Sequence, residues 1–263
     1  MAAVTAADVK SLRDATGAGM MDAKRALVEA DGDRDKAAGI LRQKGLSKVA
    51  TLEDRENNQG AIAIAHDGNV AAMVQLKAET DFSGKSEDFV ALTQALADAV
   101  LVGGEGAVST LENELDTLRI QKKENIELGV VVRFEAAEGN VLDSYLHRQE
   151  GRGVNGVLLE VQGASLDAVH EISLHVAFAK PDAMSRDEVD PELVDRARAS
   201  FEELTRKEGK PEQAVPKIVE GRLNSWYGER ILPEQGLFGE KETVAAHLGD
   251  ATIVRFAQAI IGS

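Results

Sequence analysis

The chain has 263 residues, of which 43% are hydrophobic, and this is enough for a sizeable core and for more than one domain. It contains no cysteine, which excludes disulfide bonds, thiolate zinc sites and cysteine nucleophiles. The formal net charge of −15 repels the phosphate backbones of nucleic acids, so we predict no direct nucleic-acid binding. The sequence shows neither a signal-peptide pattern nor a long apolar run, which predicts a soluble, cytoplasmic protein without a membrane contact.

The first part of the chain predicts three short helices. Thr5, with an acidic residue three positions later, starts the first helix, which ends at a Thr-Gly pair. The second helix covers "MMDAKRALVEA", and Asp33 caps a third that we expect to stop at Gly45. We therefore predict a three-helix domain over residues 1–50 and a polar linker over 51–59.

The next segment predicts a first small α+β unit over residues 60–139. Apolar and polar residues alternate on both sides of Asp67-Gly68-Asn69, a strong hairpin signal. A helix follows from Ser86, and its predicted buried face comprises Phe89, Leu92, Leu96 and Val100. A further helix from about Thr110 and the strand "GVVVRFEAA" complete this unit.

The order strand, strand, helix recurs over residues 140–182, in "NVLDSYLHRQ", "VNGVLLEVQG" and "SLDAVHEISLHVAFAK". We predict an α+β core of two related halves with antiparallel sheets. Residues 183–232 predict an antiparallel helical hairpin, because two amphipathic stripes flank a short Gly-Lys-Pro turn. Residues 233–263 complete the core with a short helix and a final apolar segment that the pattern leaves open between helix and strand.

No segment carries a compact catalytic motif. "GRGVNG", residues 151–156, matches G-x-G-x-x-G but precedes a strand rather than a helix, so we interpret it as a loop between strands. The five histidines lack the spacing of a helical zinc site. The sequence thus predicts no enzyme activity, no cofactor and no metal, and an enzyme that used His147 would need a concave pocket around it.

Phe82 stands out in "ETDFSGKSEDF", where a large ring lies between acidic residues and before a Ser-Gly pair. It either packs the helix start against the hairpin or inserts into a partner protein. Met20 and Met21 pose the same choice, because two adjacent residues cannot both face one narrow core stripe, and we expect one to face outward.

Four segments together resemble the bacterial elongation factor Ts family, the guanine-nucleotide exchange factors of the GTPase elongation factor Tu. They are "LRDATGAGMMDAKRAL", "ETDF", "GNVLDSYLH" with "GVLLEV", and "GKPEQAVPKIVEGRLN". The resemblance implies an N-terminal three-helix domain of the ubiquitin-associated type, a core of two related halves and a protruding coiled coil.

The resemblance also implies which residues contact the partner. A tip made of Thr80, Asp81 and Phe82, with Ser83, would insert between helices of the GTPase domain and displace its Mg²⁺. Docking contacts with that domain and a second domain of elongation factor Tu would come from Leu12, Arg13, Met20, Met21 and His147.

This chain departs from the family after the tip, where Val-Ala-Lys is usual and Ser83-Gly84-Lys85 stands here. We expect this pair to lose apolar contact and to add backbone freedom, so that Val and Ala in their place would increase exchange. Two alternatives stay open: a diverged copy that binds the GTPase with weak exchange activity, and a noncatalytic adaptor in which Phe82 is structural. The oligomeric state is not indicated by the sequence.

Overall fold

The computed structural model of the chain describes residues 4–262 and has the predicted α+β architecture. A three-helix domain precedes a core of antiparallel strands covered by helices, and a helical hairpin follows the core. Within the described residues, no helix combines the length and the apolar composition that crossing a lipid bilayer requires.

The three predicted N-terminal helices are confirmed. They are α1 (Ala6–Thr16), α2 (Met20–Glu29) and α3 (Arg34–Val49). Thr5 and Asp8 form a full capping box, in which the Asp8 amide donates to the Thr5 hydroxyl at 3.2 Å. Gly17 ends α1 in the left-handed conformation. The left-handed backbone of Gly17 reverses the chain direction between α1 and α2.

The expected stop of α3 at Gly45 is wrong, since the helix continues to Val49. A glycine inside a helix costs about 1 kcal/mol relative to alanine. The residue is instead required by packing against Ile120 on helix α6 (Glu112–Lys122), because a Cβ at this position would lie 2.8 Å from the Ile120 Cγ1. Close approach of the two helices therefore places the N-terminal domain against the core.

Within the described part of the chain, the core sheet has six antiparallel strands. They are β1 (Gln59–Asp67), β2 (Val70–Ala78), β3 (Glu127–Glu135), β4 (Asn140–Gln149), β5 (Arg152–Gln162) and β6 (Thr252–Ile260). The first half has the order β3-β2-β1 and the second the order β4-β5-β6. Among residues 4–262, one ladder pair, Ile62 opposite Gly153, pairs β1 with β5. The two predicted antiparallel units thus share one continuous sheet.

The "GRGVNG" segment makes that junction possible. Its predicted loop is wrong beyond Gly151, because the strand β5 begins at Arg152. A Cβ at Gly153 would lie 2.3 Å from the Ile62 carbonyl oxygen, and one at Gly156 would lie 2.7 Å from the Met73 sulfur. The glycines therefore allow the two halves of the sheet to cross closely.

Helices cover the sheet after each hairpin, and one of them, over residues 81–85, is a short helix that the sequence did not predict. The helix α4 (Asp81–Lys85) and the longer α5 (Glu87–Gly103) follow the first hairpin, and α7 (Leu166–Ala179) follows the second. The α5 face predicted to be buried packs on β1 and β2, with Phe89, Leu96 and Val100 fully buried. Each half thus has its own apolar core.

The predicted helical hairpin consists of α8 (Pro191–Lys207) and α9 (Val215–Gly228). Its own small core comprises Ala197, Phe201, Val215, Val219 and Leu223. After it come α10 (Val244–Leu248) and β6, so the final apolar segment is a strand. The strand β6 pairs along β5, and this pairing satisfies the backbone groups of β6. The hydrophobic pattern of this segment alone did not distinguish a strand from a helix.

Candidate functional site

Phe82 is the most prominent feature of the first core half. Its side chain is 83% exposed, although it lies on α4 between the hairpin and α5. A residue that stapled the helix start to the hairpin would be buried, so the structural interpretation of Phe82 does not fit this position. An apolar ring held in solvent is instead available to another molecule.

The segment around this ring is one helical turn. Thr80 is the N-cap of α4, and its hydroxyl accepts from the Ser83 amide at 3.2 Å. Ser83 is only 6% exposed, and its hydroxyl donates to Glu124 at 2.7 Å. Ser83 therefore faces the protein interior, and its expected direct contact with a partner does not agree with this orientation.

Gly84 is also explained by packing. A Cβ there would lie 2.3 Å from Arg152 Nη1 and 2.6 Å from the Gly60 carbonyl oxygen. Arg152 Nη1 donates to this same carbonyl at 2.6 Å, which joins the start of β5 to the start of β1 underneath α4. The expectation that Gly84 loosens the tip is wrong, because the residue lies in a helical turn and allows α4 to approach the sheet.

Electrostatic contacts hold the other end of the turn. Lys85 Nζ lies 2.6 Å from Asp81 Oδ2 and 2.5 Å from Glu150 Oε2, in the turn between β4 and β5. The hydrogen bond from Lys85 lowers the pKa of Asp81, and the same bond, followed by that to Glu150, raises the pKa of Lys85. Asp81 and Lys85 are therefore both charged at neutral pH, and the contact of Lys85 with Glu150 ties the tip of the first half to the second half.

The predicted docking residues of the N-terminal domain separate into two groups. Arg13, Met20 and Met21 are exposed, so both methionines face outward where we expected one. Leu12 is 1% exposed and packs in the three-helix core. The expected direct contact of Leu12 with a partner is therefore dropped, because its side chain has no free surface in this conformation.

His147 is exposed near the end of β4. Its Nδ1 lies 3.4 Å from the Tyr145 hydroxyl, and among residues 4–262 no carboxylate forms an ion pair with it. Nothing around it resembles an acid/base pair. Across the described chain, no group of three or more His, Asp or Glu side chains is placed to hold a metal ion.

Three residues with a part in the site were not found from the sequence. Glu124, Glu150 and Arg152 contact the 80–85 segment from positions distant in the chain. Spacing carries no signal for such contacts. The Asp81–Lys85 pair, in contrast, has the i,i+4 spacing of a helical ion pair and could have indicated that this segment is helical.

Comparisons with known proteins agree with one another. The family described as "Elongation factor TS" matches residues 79–263. The chain is 41% identical over 257 residues to an elongation factor Ts of Kineococcus radiotolerans, with 94% of each chain covered. It is 38% identical over 266 residues to that of Deinococcus radiodurans, with 97% of this chain and 98% of the relative covered. It is 40% identical over 272 residues to that of Cutibacterium acnes, again with 97% and 98% covered.

Proposed function

The chain belongs to the elongation factor Ts family, and from this premise we propose that it binds elongation factor Tu and promotes GDP release and GDP/GTP exchange. The observation that carries the proposal is the exposure of Phe82 on a capped and braced turn. An exposed ring contributes little to the stability of the free protein, but it contributes much more to a complex in which a partner buries it. This is the property that a protein-binding residue needs.

The proposed mechanism is thermodynamic coupling between two ligands of the GTPase. A protein that binds the nucleotide-free state more tightly than the GDP-bound state weakens GDP binding by the same factor. We propose that the tip of Thr80, Asp81 and Phe82 inserts into the GTPase domain and displaces its Mg²⁺, which otherwise holds the phosphates. Ser83 supports this tip from inside the protein.

One ring does not supply the whole effect. Burying one Phe contributes about 1.5–3 kcal/mol, or roughly ten- to a hundredfold in affinity. We propose that Arg13, Met20, Met21 and His147 add docking contacts with the GTPase domain and a second domain of elongation factor Tu. The methionines are suited to this because their flexible thioethers adapt to a partner surface.

The test is release of a fluorescent GDP analogue from elongation factor Tu, followed with and without this protein. We expect release to accelerate with protein concentration and to saturate. Binding without acceleration would instead identify a noncatalytic adaptor. Acceleration that stays weak at saturation would identify a diverged copy. The structure gives this alternative little support, because Ser83 makes a hydrogen bond with Glu124 and Gly84 fits a space too small for a Cβ.

A further inference from the structure

Glu124 occupies a position that neither the motif nor the family similarity assigns. It lies directly after α6, where Lys123 adopts the left-handed conformation at φ 58° and ends the helix. This conformation is costly for a residue other than glycine, and here it reverses the chain direction. The reversal brings the Glu124 carboxylate to the N-terminus of α4.

The carboxylate accepts three hydrogen bonds from the two residues that form the α4 cap. Thr80 donates its amide to Oε2 at 3.2 Å and its hydroxyl to Oε1 at 2.8 Å. Ser83 donates its hydroxyl to Oε1 at 2.7 Å. Hydrogen bonds to a charged acceptor are about twice as strong as neutral ones. Phe82 lies between these two residues, and its side chain is 83% exposed.

We propose that Glu124 is a positioning residue that fixes the orientation of Phe82 before the partner binds. The inference deepens the proposed function and rests on it. A helix of five residues is too short to be stable alone, and the exposed ring cannot anchor it. The orientation of α4 therefore depends on the Glu124 contacts at one end and on Lys85 at the other.

A tip that is already ordered in the free protein favours binding, because ordering a loop upon association costs conformational entropy and so reduces the affinity for the partner. Asn125, the residue after Glu124, connects this segment to the end of the first hairpin and to the segment before β1. Asn125 donates its amide to Glu79 at 2.7 Å and its side-chain nitrogen to the Glu53 and Arg55 carbonyls at 3.0 Å and 2.8 Å. These three hydrogen bonds fix the backbone next to Glu124.

The test compares Glu124→Ala and Glu124→Gln with a control, Glu114→Ala, in the fluorescent GDP release assay with the full-length protein. Glu114 is an exposed acid on α6, so its replacement makes the same change in net charge. We expect Glu124→Ala to reduce stimulated release about tenfold. Glu124→Gln should lose less, because its amide oxygen still accepts from both hydroxyls, and the control should equal the parent protein. Circular dichroism and the melting temperature establish that each variant is folded at the assay temperature.

A double-mutant cycle separates positioning from a general effect on the fold. In a Phe82→Ala background, Glu124→Ala should reduce release less than about twofold further, because the residue that it positions is gone. An equal reduction in both backgrounds would overturn the inference. If Glu124→Ala does not fold, the same cycle is measured with Glu124→Gln.

The outcomes also separate this inference from the proposed function. A parent protein that does not accelerate GDP release overturns the proposed function and the inference with it. Slow release by Phe82→Ala together with normal release by both Glu124 variants overturns the inference alone.

Discussion

Replacement of Phe82 by alanine should separate binding from folding. The side chain is 83% exposed, so about one sixth of its surface is buried in the free protein. Full burial of Phe contributes about 1.5–3 kcal/mol, and one sixth of this is about 0.25–0.5 kcal/mol of folding stability. For a chain of this length we expect the melting temperature to fall by about 0.5–2 °C.

The effect on exchange should be much larger. If the ring is fully buried in elongation factor Tu, Phe82→Ala removes most of its contribution of about 1.5–3 kcal/mol from the complex. Release of fluorescent GDP should then slow by roughly ten- to a hundredfold at concentrations below saturation. A stopped-flow titration measures both the rate at low concentration and the saturated rate.

Phe178→Ala is the matched control. Phe178 is also an exposed phenylalanine, at 66%, but it lies on α7 in the second core half and contacts Phe238. We expect its replacement to leave GDP release within about twofold of the parent protein, since it lies outside the proposed tip. If Phe82→Ala lowers the melting temperature by more than about 5 °C, or if it slows release no more than Phe178→Ala, the assignment of Phe82 as the inserting residue is refuted.

Three further results are expected. Removing residues 1–50 should weaken binding to elongation factor Tu in titration calorimetry while the core stays folded, and unchanged affinity would contradict the docking role. Gly84→Ala should lower the free energy of unfolding in urea by more than about 1 kcal/mol, because its Cβ would lie 2.6 Å from the Gly60 carbonyl oxygen and 2.3 Å from Arg152 Nη1, and an unchanged unfolding free energy would contradict this packing. Burial lowers the pKa of His175, although its hydrogen bond with Gln235 acts in the opposite direction. The neutral His175 side chain therefore contributes its full folding stability above the ordinary histidine pKa, and this contribution is lost as the pH falls towards the lowered pKa. Urea unfolding of His175→Asn should show a flatter acid dependence than the parent protein, and an equal slope would exclude this residue as the cause.

Local signals predicted most of the secondary structure. Thr5 capped its helix as expected, and Gly68 placed the first hairpin, because these effects depend on neighbouring residues alone. Gly45 was misinterpreted for the opposite reason. The same residue type ends a helix in one context and permits close helix packing in another, and the deciding contact, Ile120, is distant in sequence.

The candidate site was predictable in part. Val9 and Leu12 share one face of α1, so the burial of Leu12 could have been inferred from the stripe and set against its role in docking. The exposure of Phe82 could not, because its surroundings come from residues on other elements. Glu124 is the clearest case: it lies 44 positions from Thr80, and no local pattern relates the two.

The Ser-Gly pair at 83 and 84 illustrates why a departure from a family pattern must be interpreted in three dimensions. In the sequence it suggested a weakened tip. In the structure, Ser83 supplies one of the hydrogen bonds that hold the α4 cap to Glu124, and Gly84 leaves room for Arg152 between the two core halves. Valine at 83 would remove a donor from a carboxylate that is already partly buried, and alanine at 84 would collide with a guanidinium that donates to the Gly60 carbonyl. These substitutions should therefore slow exchange rather than increase it in the fluorescent GDP release assay.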